Sequence, residues 1–166
     1  MNICVFGDSI TWGACDYKYG GWATRLRNYF EERGDTVLGA DGKAVDVEVC
    51  NLGISGDNTD DLLKRIEPEA IAREPQMIIF AIGINDSQYL DGDKNKLRVS
   101  LNNFISNLNE LVWIARKFTN KIIFVGLTDV DESKTKPIPW SPAKSYDNAL
   151  IAKYDSAIKD FCKEKI

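Results

Sequence analysis

A serine hydroxyl surrounded by hydrogen-bond donors is the equipment of nucleophilic acyl transfer, and this chain carries a candidate set on three short segments. Residues 7–10 read Gly-Asp-Ser-Ile directly after an apolar run, Ile3-Cys4-Val5-Phe6. Further on stand Asn51-Leu52-Gly53-Ile54-Ser55-Gly56-Asp57 and Gly83-Ile84-Asn85-Asp86. A tetrahedral acyl intermediate needs a nucleophile and donors aimed at its oxygen, and losing one donor costs about 10²–10³ in turnover in a serine protease. The Ser9 hydroxyl, the backbone N–H groups of Ser9 and Gly56 and the Asn85 amide would fill those places. Against this set stands an absence. The 166 residues contain no histidine, the usual general base for a serine nucleophile.

Each segment also has a plainer reading. Gly7-Asp8-Ser9 is turn-forming chemistry, and it is not the Gly-x-Ser-x-Gly elbow, since Thr11 stands two places after Ser9. Gly56 suits a helix-entry turn with Asp57 or Asn58 as its cap. Asn85 is a residue type that bonds its own backbone in turns. What favours chemistry is the placement of all three segments after apolar strand-like runs.

The elements that position them follow from periodicity. Residues 1–6 read as a buried strand, and 21–33 as a helix with Trp22, Leu26, Tyr29 and Phe30 on one face and Gly34 as its stop. Alternating Val45, Val47 and Val49 place a second strand at 45–51. A helix is expected over 59–73, broken or kinked at Pro68. The near-continuous apolar run 76–82 reads as a central parallel strand buried on both faces. The longest helix is expected over 96–118, a fourth strand over 121–127, a polar loop over 128–144 and a last helix over 145–165. Such alternation implies an α/β protein, a parallel sheet with helices on both faces. Functional loops then gather at the carboxyl ends of the strands, where all three segments fall.

Composition narrows the field. A hydrophobic fraction of 44% and a net charge of −4 suit a globular protein and argue against nucleic-acid or anionic-membrane partners. No apolar run approaches the roughly 20 residues that span a bilayer. Cys4, Cys15, Cys50 and Cys162 fit no zinc spacing; free thiols in a reducing cytoplasm are expected, with Cys4 and Cys50 as small buried apolar groups. No metal and no cofactor are expected.

On Gly7-Asp8-Ser9, Asn51-x-Gly53-x-x-Gly56 and Gly83-x-Asn85-Asp86, in that order, the chain resembles the SGNH hydrolase superfamily, the GDSL esterases and lipases. The resemblance covers essentially the whole chain. It implies a flavodoxin-like three-layer α/β/α fold with parallel strand order 2-1-3-4. It implies Ser9 as nucleophile, with Gly56 and Asn85 completing an oxyanion hole, and Asp8 and Asp86 shaping turns. The substrate it implies is a small acyl ester. The family's Asp-x-x-His, carried beyond a fifth strand, has no counterpart here; Asp155 and Asp160 belong to the last helix and take no catalytic role. The expectation is therefore one domain over 1–166, C-terminally incomplete and nearly inactive alone. A binding module that kept the pocket without the base competes with it. So does a base from another residue, with Asp129 and Asp131 as the nearest acids after strand four, or from a partner chain.

A reading from a different class is a nucleotide- or phosphate-binding module on the same sheet. Residues 7–13 match neither Gly-x-Gly-x-x-Gly nor a Walker loop, and Asp8 would repel a phosphate. Loops 11–20, 87–95 and 129–144 are expected to line the site, with Tyr17, Tyr19, Tyr89 and Trp140 as an aromatic wall or ordinary packing. An unpaired fourth strand would make homo-oligomers plausible.

Overall fold

The computed structural model describes residues 1–33, 37–38 and 44–166. In chain order the elements are β1 (Asn2–Gly7), α1 (Ser9–Trp12), α2 (Gly21–Arg33), β2 (Val37–Leu38), β3 (Ala44–Val45), β4 (Glu48–Gly53), α3 (Thr59–Leu63), α4 (Ile66–Arg73), β5 (Met77–Ala81), β6 (Tyr89–Leu90), β7 (Asp93–Leu97), α5 (Leu101–Ala115), β8 (Ile122–Phe124), a 3-10 turn (Glu132–Lys134), β9 (Lys144–Ser145) and α6 (Asn148–Lys165).

The apolar runs build the main sheet. Its four strands are all parallel, in the order β4-β1-β5-β8, which is 2-1-3-4 when the parallel strands are numbered alone. Successive side chains of a strand point to opposite faces. Cys4, Phe6, Ile78 and Phe80 thus pack with Leu62 and Ile66 from α3 and α4, Phe104, Leu108 and Leu111 from α5, and Tyr154 and Ile158 from α6. Ile3, Val5, Val49 and Ile79 face the other way, against Ala23, Trp22, Leu26 and Phe30 of α2. The result is the three-layer α/β/α arrangement. Cys4 lies opposite Cys50 in the β1–β4 register, and both thiols are free. Cys4 is fully buried, whereas Cys50 is half-buried.

Several boundaries depart from the sequence expectation, each for a local reason. The helix expected over 59–73 is two helices, with the break at Lys64 and Arg65, where tight backbone bonds to Asp61 and Leu62 end the first. Pro68 does not make the break; it sits in the first turn of α4, where a missing N–H costs nothing. The helix expected from 96 starts at Leu101, because Ser100 caps it through Asn103 N (3.3 Å) and Leu97 belongs to β7. The longest helix is α6, not α5. Val45 pairs with Val37 in a short hairpin, so the second parallel strand begins at Glu48. Only Ile122–Phe124 of the expected fourth strand are strand. The Gly34 stop lies outside the described residues.

β7, β6 and β9 form a small antiparallel sheet, with Tyr89 opposite both Leu97 and Ser145. It ties the segment after β5 to the segment before α6.

Candidate functional site

Ser9 is positioned by a very tight turn at the end of β1. Asp8 caps α1, its Oδ1 accepting from Ile10 N (2.9 Å), and Ser9 is the first helical residue, half-buried. α1 lies so close to the strand ends that side chains are excluded beneath it. A Cβ on Gly53 would stand 2.3 Å from Trp12 N and 2.7 Å from Asp8 O, and one on Gly7 would stand 2.1 Å from Thr11 Oγ1. Asn51 locks the same contact. Its Nδ2 donates to Thr11 O (2.9 Å), while its Oδ1 accepts from Gly53 N (3.1 Å). The Asn-x-Gly of the second segment is thus a clamp on the Ser9 turn.

Gly56 holds a left-handed conformation, φ +88°, with open space where a side chain would be. Its carbonyl accepts from Arg98 Nη2 (3.1 Å). The next residue, Asp57, is ion-paired with Arg65 (2.7 Å), and Arg65 Nη2 reaches back to Gly7 O (3.2 Å). Arg65 Nη1 is buried without a partner, the one such side-chain atom among the described residues. Asn58, not Asp57, caps α3, accepting from Asp61 N (3.0 Å).

Asn85 is 3% exposed, and its amide is oriented from three sides. Oδ1 accepts from Tyr146 OH (2.7 Å) and Gln88 Nε2 (3.1 Å), which forces Nδ2 toward Asp57 O (2.9 Å). One Nδ2 hydrogen is used there and the second remains for the cleft. Asp86 serves structure. Its carboxylate accepts from Thr59 N (3.1 and 3.2 Å) and from Thr59 Oγ1, and Asn107 Nδ2 donates to that hydroxyl (2.8 Å). Burial pushes the Asp86 carboxyl up to about 6, with the Thr59 donors pulling the other way. Burial likewise pushes Asp8 up to about 6, against the N–H groups of Ile10 and Thr11.

Ser9, Gly56 and Asn85 line one cleft of about 500 Å³, with Gln88, Arg98, Lys144 and Tyr146 on its walls. The three expected loops each reach it, through Cys15, Gln88 and Trp140. The aromatic wall is not assembled: Trp140 lines the cleft, but Tyr17 and Tyr19 do not, and Tyr89 is buried in β6. Burial pushes the Tyr146 phenol up to about 12, helped by the Asp8 charge and opposed by Gln88 and Arg98, so it stays a donor. Its neighbour Asp147 caps α6 through Leu150 N (3.1 Å) and pairs with Lys94 (2.6 Å) and Lys136 (2.9 Å). Those two ammonium groups hold the Asp147 carboxyl well below the usual carboxylate range and pin the wall that carries Tyr146. Tyr146, Gln88, Arg98 and Arg65 are the site residues that sequence reasoning missed. Asp129 is exposed and Asp131 caps the 3-10 turn; neither lines this cleft. Among the described residues no three His, Cys, Asp or Glu side chains are grouped to hold a metal ion, and no helix is long and apolar enough to cross a membrane.

Comparison with known proteins adds the family. A sequence model described as the GDSL-like lipase/acylhydrolase family matches residues 5–166. A GDSL esterase/lipase of Arabidopsis thaliana is 22% identical over 167 residues, covering 98% of this chain and 60% of that protein. An uncharacterised lipoprotein of Bacillus subtilis is 28% identical over 140 residues, covering 81% of this chain and 51% of that protein. The chain thus spans little more than half the length of these curated relatives. A lipase/acylhydrolase structure from Enterococcus faecalis matches with a TM-score of 0.71 and 21% identity, covering 98% of this chain and 71% of that one. An acetylxylan esterase from Geobacillus stearothermophilus matches with a TM-score of 0.68 and 22% identity, covering 98% and 72%. At these identities the solved structures establish a shared fold.

Proposed function

The chain belongs to the GDSL-like lipase/acylhydrolase family, and on that premise we propose that it acts on small acyl esters through a Ser9 acyl-enzyme. Ser9 Oγ attacks the ester carbonyl, and the N–H groups of Ser9 and Gly56 and the free hydrogen of Asn85 Nδ2 receive the developing oxyanion. The tetrahedral intermediate collapses with loss of the alcohol, and water then cleaves the acyl-Ser9 ester to free acid. The observation that carries this reading is that three segments far apart in sequence line one cleft with the Ser9 hydroxyl, which makes no hydrogen bond to any of the described residues. The short acyl group follows the acetylxylan esterase among the structural relatives.

Each attack needs an acceptor for the Ser9 proton, and the chain has no imidazole. Loss of the histidine alone costs on the order of 10⁶ in kcat in a serine protease, leaving about 10³–10⁴ over water. Slow Ser9-dependent turnover is therefore expected of this chain. The test is p-nitrophenyl acetate hydrolysis with Ser9→Ala as control, without and with added imidazole as a diffusible base. A Ser9-dependent component that imidazole raises is the expected result. Equal rates for both proteins at every imidazole concentration would sink the assignment.

A further inference from the structure

We infer that the ester accepted in the Ser9 cleft carries a carboxylate or phosphate, received by Arg98 and Lys144. This rests on the ester-hydrolase reading and adds the charge of the substrate to it.

The charge pattern of the cleft runs against that of the protein. The chain has a net charge of −4, yet among the described residues no Asp or Glu lines the cleft, while Arg98 and Lys144 both do. Arg98 keeps only 16% of its side chain exposed. Its Nη1 donates to Gln88 Oε1 (3.0 Å) and its Nη2 to Gly56 O (3.1 Å). The carboxylate paired with it, Asp61, stays at 3.7 Å, outside hydrogen-bond reach. Two of the guanidinium's five donors are thus committed, and the rest are left in a fork that suits a carboxylate or phosphate.

Lys144 is the more telling group. Among the described residues most lysines have an acidic partner, and of the five without one, four, Lys18, Lys121, Lys153 and Lys165, are exposed. Lys144 has none and is half-buried. Its backbone is fixed by Ser141 O (2.8 Å) and Ile138 N (2.9 Å) and by pairing with Leu90. Two nearby lysines, Lys94 and Lys136, share Asp147, so the missing counter-ion is not a general shortage of acid. A half-buried cation without a partner is costly unless a ligand completes it. Because Arg98 bonds the Gly56 carbonyl, an anion held there would stand beside the residue whose N–H is proposed to receive the oxyanion.

The test is calorimetric binding to the Ser9→Ala chain at low ionic strength, with three esters: monoethyl succinate, 2-acetoxyethyl phosphate and neutral ethylene glycol diacetate. At least one anionic ester is expected to bind about tenfold tighter than the neutral one. That preference should shrink with added salt. Lys144→Gln should remove most of it while leaving the neutral ester's affinity in place. Which anion binds better separates a carboxylate substrate from a phosphate one. Equal affinity for all three esters, no binding of either anion, or a preference that survives Lys144→Gln would overturn the inference. Ser9-dependent hydrolysis of neutral p-nitrophenyl acetate is unaffected by any of these results, so the two readings fail separately.

Discussion

The two edges of the site are built to different standards. At the ends of β1, β4 and β5 nearly every polar group is tied. Asn51 clamps α1, Arg65 bridges Gly7 and Asp57, and Tyr146, Gln88 and Asp57 together orient Asn85. At β8 the sheet thins to three paired residues with, among the described residues, one neighbouring strand, and Ile123 and Val125 are 45% and 38% exposed. Beyond it the chain is held by two side chains of α6, Asp155 to Leu127 N (2.9 Å) and Asn148 to Val130 N (2.9 Å). The difference teaches that receiving an oxyanion and accepting a proton are separable parts of such a site. In the mechanism proposed for Ser9, the first falls to glycine backbone and one amide on rigid strand ends. The second needs a titratable group, which no element of this chain delivers to the cleft as an imidazole.

The sharpest way to break this contrast is at the rigid edge. Asn85→Ala is expected to lower imidazole-supported, Ser9-dependent turnover by about 10²–10³ with the fold intact. A loss below about threefold in the same assay would remove Asn85 from the proposed oxyanion hole. Paired alanine substitutions compare the edges directly. Gly53→Ala drives a Cβ into the backbone at 2.3 Å, whereas Gly126→Ala meets the end of the Asp155 side chain at 2.8 Å, which can move aside. Urea unfolding should show about 3 kcal/mol lost at Gly53 and about 1 kcal/mol or less at Gly126. Equal losses would erase the difference in rigidity.

A titration sharpens the comparison further. Asp8 and Asp86 are both raised from 3.8 to about 6 in the folded protein. The folded state therefore binds protons that the unfolded state releases between those values, so stability rises as pH falls through 6 toward 4. Each group contributes about 1 kcal/mol between pH 7 and 5. Below that window Asp147 acts in the opposite sense, since its lowered carboxyl loses its ion pairs on protonation. Thermal melts should show the rise, and Asp86→Asn should flatten it by about half. The smallest effect is Tyr146→Phe, which removes one of the two donors on Asn85 Oδ1. It should cost about 1 kcal/mol, read as a drop in imidazole-supported kcat of about fivefold with little change in KM.

The legibility of the molecule followed the same division. β1, β5 and α2 were readable because their apolar residues repeat at strand or helix spacing over enough positions to reveal a period. α2 begins and ends where its sequence pattern does. The antiparallel sheet was not readable, since β6 and β9 are two residues each and β7 is the polar run Asp-Lys-Asn-Lys-Leu. The three strand-end segments announced Ser9, Gly56 and Asn85 as candidates, and they do share a cleft. Their supporting shell was silent. Tyr146 lies 61 residues from Asn85 and Arg98 lies 42 from Gly56, and nothing in a local pattern records such pairings.

The buried Cys4 in the middle of β1 gives the protein a built-in clock. Burial, with the facing Cys50 adding to it, pushes its thiol up to about 12, so the buried group stays a thiol at neutral pH. Alkylating reagents meet the nucleophilic form only when the sheet parts. Cys15, exposed at the cleft, modifies at once and serves as the zero of time. The later capture of Cys4 then measures how often β1 leaves its neighbours, a hydrogen-exchange experiment written in sulfur.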